Sequence, residues 1–340
     1  MDKKSILNLN LKELEQILID WQQEKFHALQ IFSWIYKKGI KDFEKMSDLS
    51  VLLRKKLKEN FSIFDLELIK EIKSVDGTKK LLFKLKDGNT IEAVNIATER
   101  RITGCVSTQV GCKFACKFCA SGLLGFKRNL ETAEIIEQVL FLKEKAKRLN
   151  NLVFMGIGEP LDNYDNVLKA IRIINSPAGL NIGARKITLS SAGFIPGIKR
   201  LVSEGLQIEL AISLHAGDDK TRSFLMPLNK KYPLQELLAV IKEYIKKTKR
   251  QITFEYILID GVNSSISEAE KLSKLLKDLN CKVNLIPCNP VKEIGFLPAK
   301  KMDILLFKDR LLKSGIKVTV RMPRGEDIQA ACGQLRLESR

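Results

Sequence analysis

Leu11, Leu14, Ile17 and Leu18 recur at helical spacing near the start of the chain, and Ile31, Trp34, Ile35 and Tyr36 continue the pattern. Apolar positions three and four apart place one helix face against a core, so residues 5–62 read as helical. The period then changes. Lys80 to Lys86 alternates in part around Leu81, Phe83 and Leu85, and Asp76-Gly77 and Asp87-Gly88 are turn dipeptides that fit a β-meander. From about residue 101 the pattern becomes strand, loop, helix, repeated. Apolar, β-rich runs lie near 104–110, 152–156, 186–190, 207–214, 251–258 and 282–287. Helix-like stretches follow the first five, near 130–148, 163–174, 195–204, 234–248 and 265–279. One more helix is expected near 300–314, before the apolar run Ile316 to Val320. Strands alternating with helices predict a parallel sheet covered by helices, an α/β fold. Six or so units fall short of the eight that close a barrel, so a partial (β/α)6 TIM-like barrel is expected, with an open doubly wound sheet as the alternative. The expected organisation is a helical accessory domain over 1–64, a β-meander extension over 65–97 and the α/β body over 98–340.

Composition narrows the class. Of 340 residues, 45% are hydrophobic and 29% charged, which excludes global disorder and provides for a sizeable core. No apolar run reaches the roughly 20 residues of a membrane span. Met1-Asp2-Lys3-Lys4 leads into no continuous apolar stretch and does not read as a signal peptide, so a soluble cytoplasmic protein with no membrane partner is expected. Lys and Arg number 58 against 40 Asp and Glu, a formal charge of +18, and residues 101–340 carry +15 of it. Such an excess suggests a polyanionic partner, nucleic acid first, although a Lys-rich surface is the plain alternative.

Seven cysteines are too few for a disulfide-built scaffold, but three fall within eight residues: Cys112-Lys113-Phe114-Ala115-Cys116-Lys117-Phe118-Cys119. The spacing is C-x3-C-x2-C, in the loop after the first strand of the repeating unit, where such folds bind ligands. Soft thiolates suit zinc or iron–sulfur clusters. Zinc normally takes four ligands with paired C-x2-C spacing, and Cys281 and Cys288 are wrongly spaced to complete it. Buried structural thiols are the remaining alternative. Three thiolates on a four-iron cluster leave one iron open, as a catalytic centre requires. With Phe118 just before the last Cys, the motif resembles that of the radical S-adenosylmethionine (SAM) superfamily. The resemblance implies a radical SAM core in which the open iron chelates SAM and an electron from the cluster cleaves it to a deoxyadenosyl radical.

Other strand ends carry polar residues. The second ends in Met155-Gly156-Ile157-Gly158-Glu159-Pro160, where glycines let a ligand approach the backbone and a carboxylate can hold an ammonium group. A dinucleotide fingerprint is excluded, because the third glycine is missing, and a plain turn is the alternative. Ser190 and Ser191 end the third strand, Ser213, Leu214 and His215 the fourth, and Asn289 follows the sixth. Two further cysteines stand apart. Cys105 lies seven residues before Cys112, and Cys332 lies between Gly325 and the end of the chain, just before Gly333. Either alone reads as a small buried hydrophobe.

The strings Cys105-Val106-Ser107-Thr108-Gln109-Val110-Gly111-Cys112, Gly125-Phe126-Lys127-Arg128-Asn129-Leu130, Phe154 to Pro160 and Ala330-Ala331-Cys332-Gly333-Gln334-Leu335 together resemble one family over nearly the whole chain. It is that of the dual-specificity methyltransferases acting on adenosine C2 in 23S rRNA, at the peptidyl-transferase centre, and in certain tRNAs. The resemblance implies that Cys112, Cys116 and Cys119 hold a [4Fe–4S] cluster, and that Gly158, Glu159, Ser190, Ser213, Leu214, His215 and Asn289 contact SAM. It makes Cys332 the methyl carrier through S-methylcysteine, Cys105 its resolving partner and Glu92 the proton acceptor. On pattern alone Glu92 reads as an exposed strand residue. The implied cycle uses two SAM molecules, passes through a protein–RNA adduct and ends in a Cys105–Cys332 disulfide. An external reductant and an electron-donating redox protein are then needed, and a monomer is expected. Lys113, Lys117, Lys127 and Arg128 are candidates for phosphate contact. Two rival readings stand: a sister enzyme methylating C8 of the same rRNA adenosine, which confers antibiotic resistance, and a non-catalytic RNA-binding protein with a structural metal.

Overall fold

The computed structural model describes residues 3–99, 101–123, 125–146 and 148–335. The helical region begins with the short strand β1 (Lys4–Ser5), followed by α1 (Leu11–Asp20), α2 (His27–Phe32) and α3 (Val51–Asn60). Strand β2 (Phe61–Ser62) returns to pair in parallel with β1. Asn10 caps α1 by accepting the Glu13 N–H at 3.0 Å, while the Glu13 carboxylate accepts the Asn10 N–H at 2.7 Å. Leu14 and Leu18 are the buried face of α1, as the spacing predicts.

Strands β3 (Glu67–Lys73), β4 (Lys79–Lys84) and β5 (Thr90–Ala97) follow as an antiparallel meander. Its turns fall at the two Asp-Gly pairs, where Gly77 and Gly88 have φ of 85° and 79°. Strand β6 (Ile102–Cys105) pairs antiparallel with β5, Cys105 opposite Val94, so the meander continues the main sheet. The apolar run at 104–110 is not one strand. After Cys105 the chain leaves the sheet because other groups take its backbone: Gln138 accepts the Ser107 N–H at 2.8 Å, and the Ile157 carbonyl accepts the N–H groups of Thr108 and Gln109. β7 (Gln109–Gly111) then forms a separate ribbon with β8 (Phe126–Asn129).

The remaining elements alternate: α4 (Thr132–Lys145), β9 (Leu149–Phe154), α5 (Tyr164–Asn175), β10 (Ile187–Ser191), α6 (Ile195–Leu201), β11 (Glu209–Ser213), α7 (Asp219–Leu225), α8 (Leu234–Thr248), β12 (Ile252–Leu258), α9 (Ile266–Leu276), β13 (Cys281–Pro287), α10 (Lys301–Lys313) and β14 (Lys317–Val320). The short α7, capped by the Asp218 side chain, has no counterpart among the helix-like stretches expected from the sequence. The ten-stranded sheet runs β14-β13-β12-β11-β10-β9-β6-β5-β4-β3, with every pairing from β14 to β6 parallel. Among the described residues β14 and β3 do not pair, so the expected partial barrel is open. Phe154, Leu189, Ile212, Phe254, Tyr256 and Leu285 form part of its buried core. No helix among the described residues is long and apolar enough to cross a membrane.

One buried acid fastens the chain leaving the helical region to the body. Glu137 on α4 is fully buried, and its Oε2 accepts the N–H groups of Asp65 and Leu66 at 2.8 and 2.7 Å. Its other oxygen has no partner, and burial pushes the carboxyl up to about 8. The folded state therefore holds a proton that the unfolded chain releases near 4.5. That contribution is present below the unfolded value and lost as pH rises through the folded one. Denaturant unfolding from pH 4.5 to about 8 is expected to show the wild type losing stability relative to Glu137→Gln, with parallel curves as the contrary result.

Candidate active site

The C-terminal ends of the parallel strands surround an open cavity. Cys112, Cys116 and Cys119 line it, with Gly158 and Glu159 after β9, Ser190 of β10, Ser213 of β11, and His215 and Cys332. A smaller adjoining cavity shares Cys119 and Cys332 and adds Cys105 and Asn289 to its wall. Eleven of the thirteen residues singled out from the sequence thus face one connected space. Leu214 does not. Its side chain is buried in the core, its N–H donates to the Glu255 carbonyl at 3.0 Å, and its carbonyl accepts from Arg222 at 3.2 Å.

Glu92 also lies outside both cavities, and it is not exposed. It is 1% exposed and paired with Lys80 at 2.8 Å. The meander hides it because β5 is covered on both faces. Its carbonyl accepts the Ser107 hydroxyl at 2.6 Å, which places it close to the chain just after Cys105.

Each strand end is held by identifiable contacts. The Glu159 carboxylate accepts from Leu161 N–H at 3.1 Å and Ala192 N–H at 2.7 Å, and burial lifts it to about 7. The Ser191 side chain also hydrogen-bonds the carboxylate, and the lone-pair capacity left over suits an ammonium group. The two glycines before it line the cavity and are also packed tightly: a Cβ on Gly156 would lie 2.6 Å from the Val106 carbonyl oxygen, and one on Gly158 2.5 Å from the Gln109 Cβ. His215 sits at φ 61°, with Nδ1 accepting the Ile257 N–H at 3.0 Å and the ring edge-on to Phe118, centroids 4.7 Å apart. Burial and then Arg222 depress it to about 3, so the ring is neutral and presents Nε2–H as a donor. Asn289 donates to the Cys332 carbonyl at 2.9 Å, and its own Oδ1 is buried without a partner.

The thiols differ in exposure. Burial, and then Cys332, pushes Cys105 up to about 12, and burial does the same to Cys112. Cys105 is buried, Cys332 half-buried, and both are free thiols. Cys281 and Cys288 are buried packing residues.

Several residues at the site escaped sequence reasoning. Arg321 lines both cavities, where Cys332 acts on its charge more strongly than burial does, followed by Glu255 and Cys105. Glu255 was visible in principle as the one acid in the apolar run of β12, and it accepts from Asn284 at 2.8 Å. Arg222 carried no pattern signal. It is buried and donates to Leu214, Ser213 and Ala192 carbonyls and to Asn229, tying two strand ends together. Of the basic candidates, Arg128 is taken by Glu134 and Asp87, and Lys113 by Asp162. Lys117 is exposed, 4.0 Å over the Phe224 ring, and Lys127 donates to Asn89 at 3.1 Å.

Residues 106–275 match the radical SAM superfamily, and residues 4–63 match the ribosomal RNA large subunit methyltransferase N-terminal domain. A probable dual-specificity RNA methyltransferase RlmN of Clostridium novyi (strain NT) is 49% identical, covering 98% of this chain and 98% of its own length. The chain belongs to the RlmN family. A probable RlmN of Staphylococcus carnosus (strain TM300) is 46% identical over 100% of this chain and 94% of its own. The crystal structure of a radical SAM methyltransferase from Sphaerobacter thermophilus matches with a TM-score of 0.94 at 43% identity, covering 98% of this chain and 99% of that one.

RlmN proteins are radical SAM enzymes, and the cofactors of that superfamily are a [4Fe–4S] cluster and SAM. The donor set fits. Three soft thiols share one cavity wall with the polar strand ends.

Arg222→Met should strand four acceptors, two of them on buried residues, and destabilise the fold by about 3 kcal/mol. Denaturant unfolding measures this, and a change under about 0.5 kcal/mol, the size of a surface substitution, contradicts the role.

Proposed function

We propose that this enzyme methylates C2 of an adenosine in 23S rRNA, and of one in certain tRNAs, through a methyl group carried on Cys332. The observation that carries the reading is the joined cavity. It sets Cys332 and Cys105 beside the loop of Cys112, Cys116 and Cys119, a pairing that a structural metal leaves unexplained. The names of the curated relatives support the RNA substrate, as does the charge of +18.

In this reading Cys112, Cys116 and Cys119 hold the cluster, and Gly158, Glu159, Ser190, Ser213, His215 and Asn289 contact SAM. The Glu159 carboxylate suits the amino group, His215 offers a donor, and the unpartnered Asn289 Oδ1 offers an acceptor. Leu214 contributes by fixing the turn between Ser213 and His215, since its backbone groups are both engaged. Bound there, cluster and SAM supply a methyl group and a radical that abstracts hydrogen.

Adenine C2 lies between two ring nitrogens and is electron-poor, so it does not attack an electrophilic methyl group. A thiolate does, and Cys332 takes the methyl first. Arg321 offers the negative sulfur a fixed positive neighbour. Once the carried carbon is bonded to C2, Glu92 receives the C2 proton, with Lys80 beside it to balance the carboxylate charge. Cys105 then attacks the Cys332 sulfur. An S–S bond forms, the S–C bond breaks, the departing carbon takes the electron pair and a proton to become the methyl group, and methylated RNA leaves. An external dithiol resets the pair, and a redox protein supplies electrons to the cluster.

Anaerobic assay on naked 23S rRNA and tRNA, with the modified base mapped by mass, is expected to give 2-methyladenosine in both. A C8 product overturns the regiochemistry. A colourless, zinc-loaded protein overturns the catalytic reading. Cys332→Ala should abolish methylation and keep cluster absorbance and SAM binding, whereas Cys105→Ala should accumulate a covalent protein–RNA adduct. Full turnover by either variant contradicts the assigned roles.

A further inference from the structure

Residues 321–335 carry Cys332 and contain little regular structure: the single-turn helix Glu326–Ile328 is the main element. The position of the sulfur therefore depends on side-chain contacts from elsewhere. One set lies close to Cys332. Asn289 donates to its carbonyl at 2.9 Å, Ala120 N–H donates to the Gly333 carbonyl at 2.8 Å, and Ser121 donates to the Leu335 carbonyl at 2.8 Å. These contacts come from the cavity walls.

The other set comes from the turn joining β3 and β4. The Ser74 hydroxyl donates to Asp327 Oδ1 at 2.6 Å, and the Val75 N–H donates to Asp327 Oδ2 at 3.2 Å. In return, the Gly325 N–H donates to Asp76 Oδ2 at 2.9 Å. Asp76 Oδ1 accepts the Thr78 N–H at 2.9 Å, which keeps the turn closed. Gly325 has φ 67°, and a Cβ there would lie 2.8 Å from the Thr78 Cγ2, so backbone and turn are in close contact. Burial opposes ionisation of Asp76, yet the N–H groups of Thr78 and Gly325 hold it down at about 2. Its acceptor charge is therefore present at every physiological pH.

We propose that the turn Ser74–Thr78 is a clamp that sets the register of the methyl-carrier segment, with Asp76 and Asp327 as positioning residues for methyl transfer. The proposal rests on Cys332 being the carrier. It also explains why the meander is there. Neither β3 nor β4 lines the two cavities, yet their turn grips the segment that does. Carrier and base are linked in the same way. Lys80 on β4 pairs with Glu92 at 2.8 Å and donates to the Gln329 carbonyl at 3.4 Å, so one ammonium touches both the proposed proton acceptor and the segment bearing Cys332. The carrier sulfur has to reach first a methyl donor and then a base, and a displacement of about 1 Å costs on the order of 100-fold in rate.

The test uses reconstituted holoenzyme and the variants Asp327→Ala, Asp327→Asn, Asp76→Ala and Ser74→Ala. Amide hydrogen exchange over 321–335 is measured together with methylated adenosine formed per 5′-deoxyadenosine released. The clamp predicts exchange about tenfold faster in that segment alone. It also predicts a fall of about tenfold in the coupling ratio for Asp327→Ala, with SAM affinity and cluster absorbance unchanged. Asp327→Asn, which keeps one acceptor oxygen, should recover part of the coupling. Unchanged exchange and coupling in Asp327→Ala overturn the clamp. Where that variant fails to fold, Ser74→Ala removes a single hydroxyl and decides by the same two readouts. Methylation surviving in Cys332→Ala overturns the carrier assignment instead, and the exchange measurement still judges the clamp.

Discussion

Asn289 donates to the carbonyl of Cys332, and through that bond a segment beyond β14 is drawn back across the mouth of an open sheet. A closed barrel walls its own cavity. An open one has a gap between first and last strands, and here the missing wall is a loop. The three thiols after β6, the polar strand ends and Arg321 form one site only while that loop stays in place. Most of the side-chain hydrogen bonds that hold it are part-buried or buried, and they do for it what a ladder does for a strand.

Much of the body was legible from periodicity because its helices and strands each bury one continuous stripe or run. Helices α4, α5, α8, α9 and α10 lie within a few residues of the stretches expected for them. The break after Cys105 was not legible. Val106 and Val110 are as apolar as a strand requires, and only the tertiary partners Gln138 and Ile157 show why the backbone turns away. Strand-end polar residues could be found because they interrupt apolar runs at regular places. Glu92 could not, since burial of a carboxylate depends on Lys80 arriving from the neighbouring strand. Arg222 is similar: a charged residue in a short helix reads as solvated until its four acceptors are seen.

The charge excess is also sharpened. Arg128 and Lys113, near the cysteine loop in sequence, are held in ion pairs and serve the scaffold. Lys117, exposed beside Cys116, remains a solvent-facing cation. Net charge therefore speaks for the partner class, while individual cations need their pairing resolved before they are counted as contacts.

The position of the closing segment has a consequence for biogenesis. All the strands that wall the cavity, and the three thiols on its rim, are made before residues 321–335. A group that enters before that segment docks displaces none of its contacts. Loading after folding is complete would first require the hydrogen bonds of Asn289, Ala120 and Ser121 to let go.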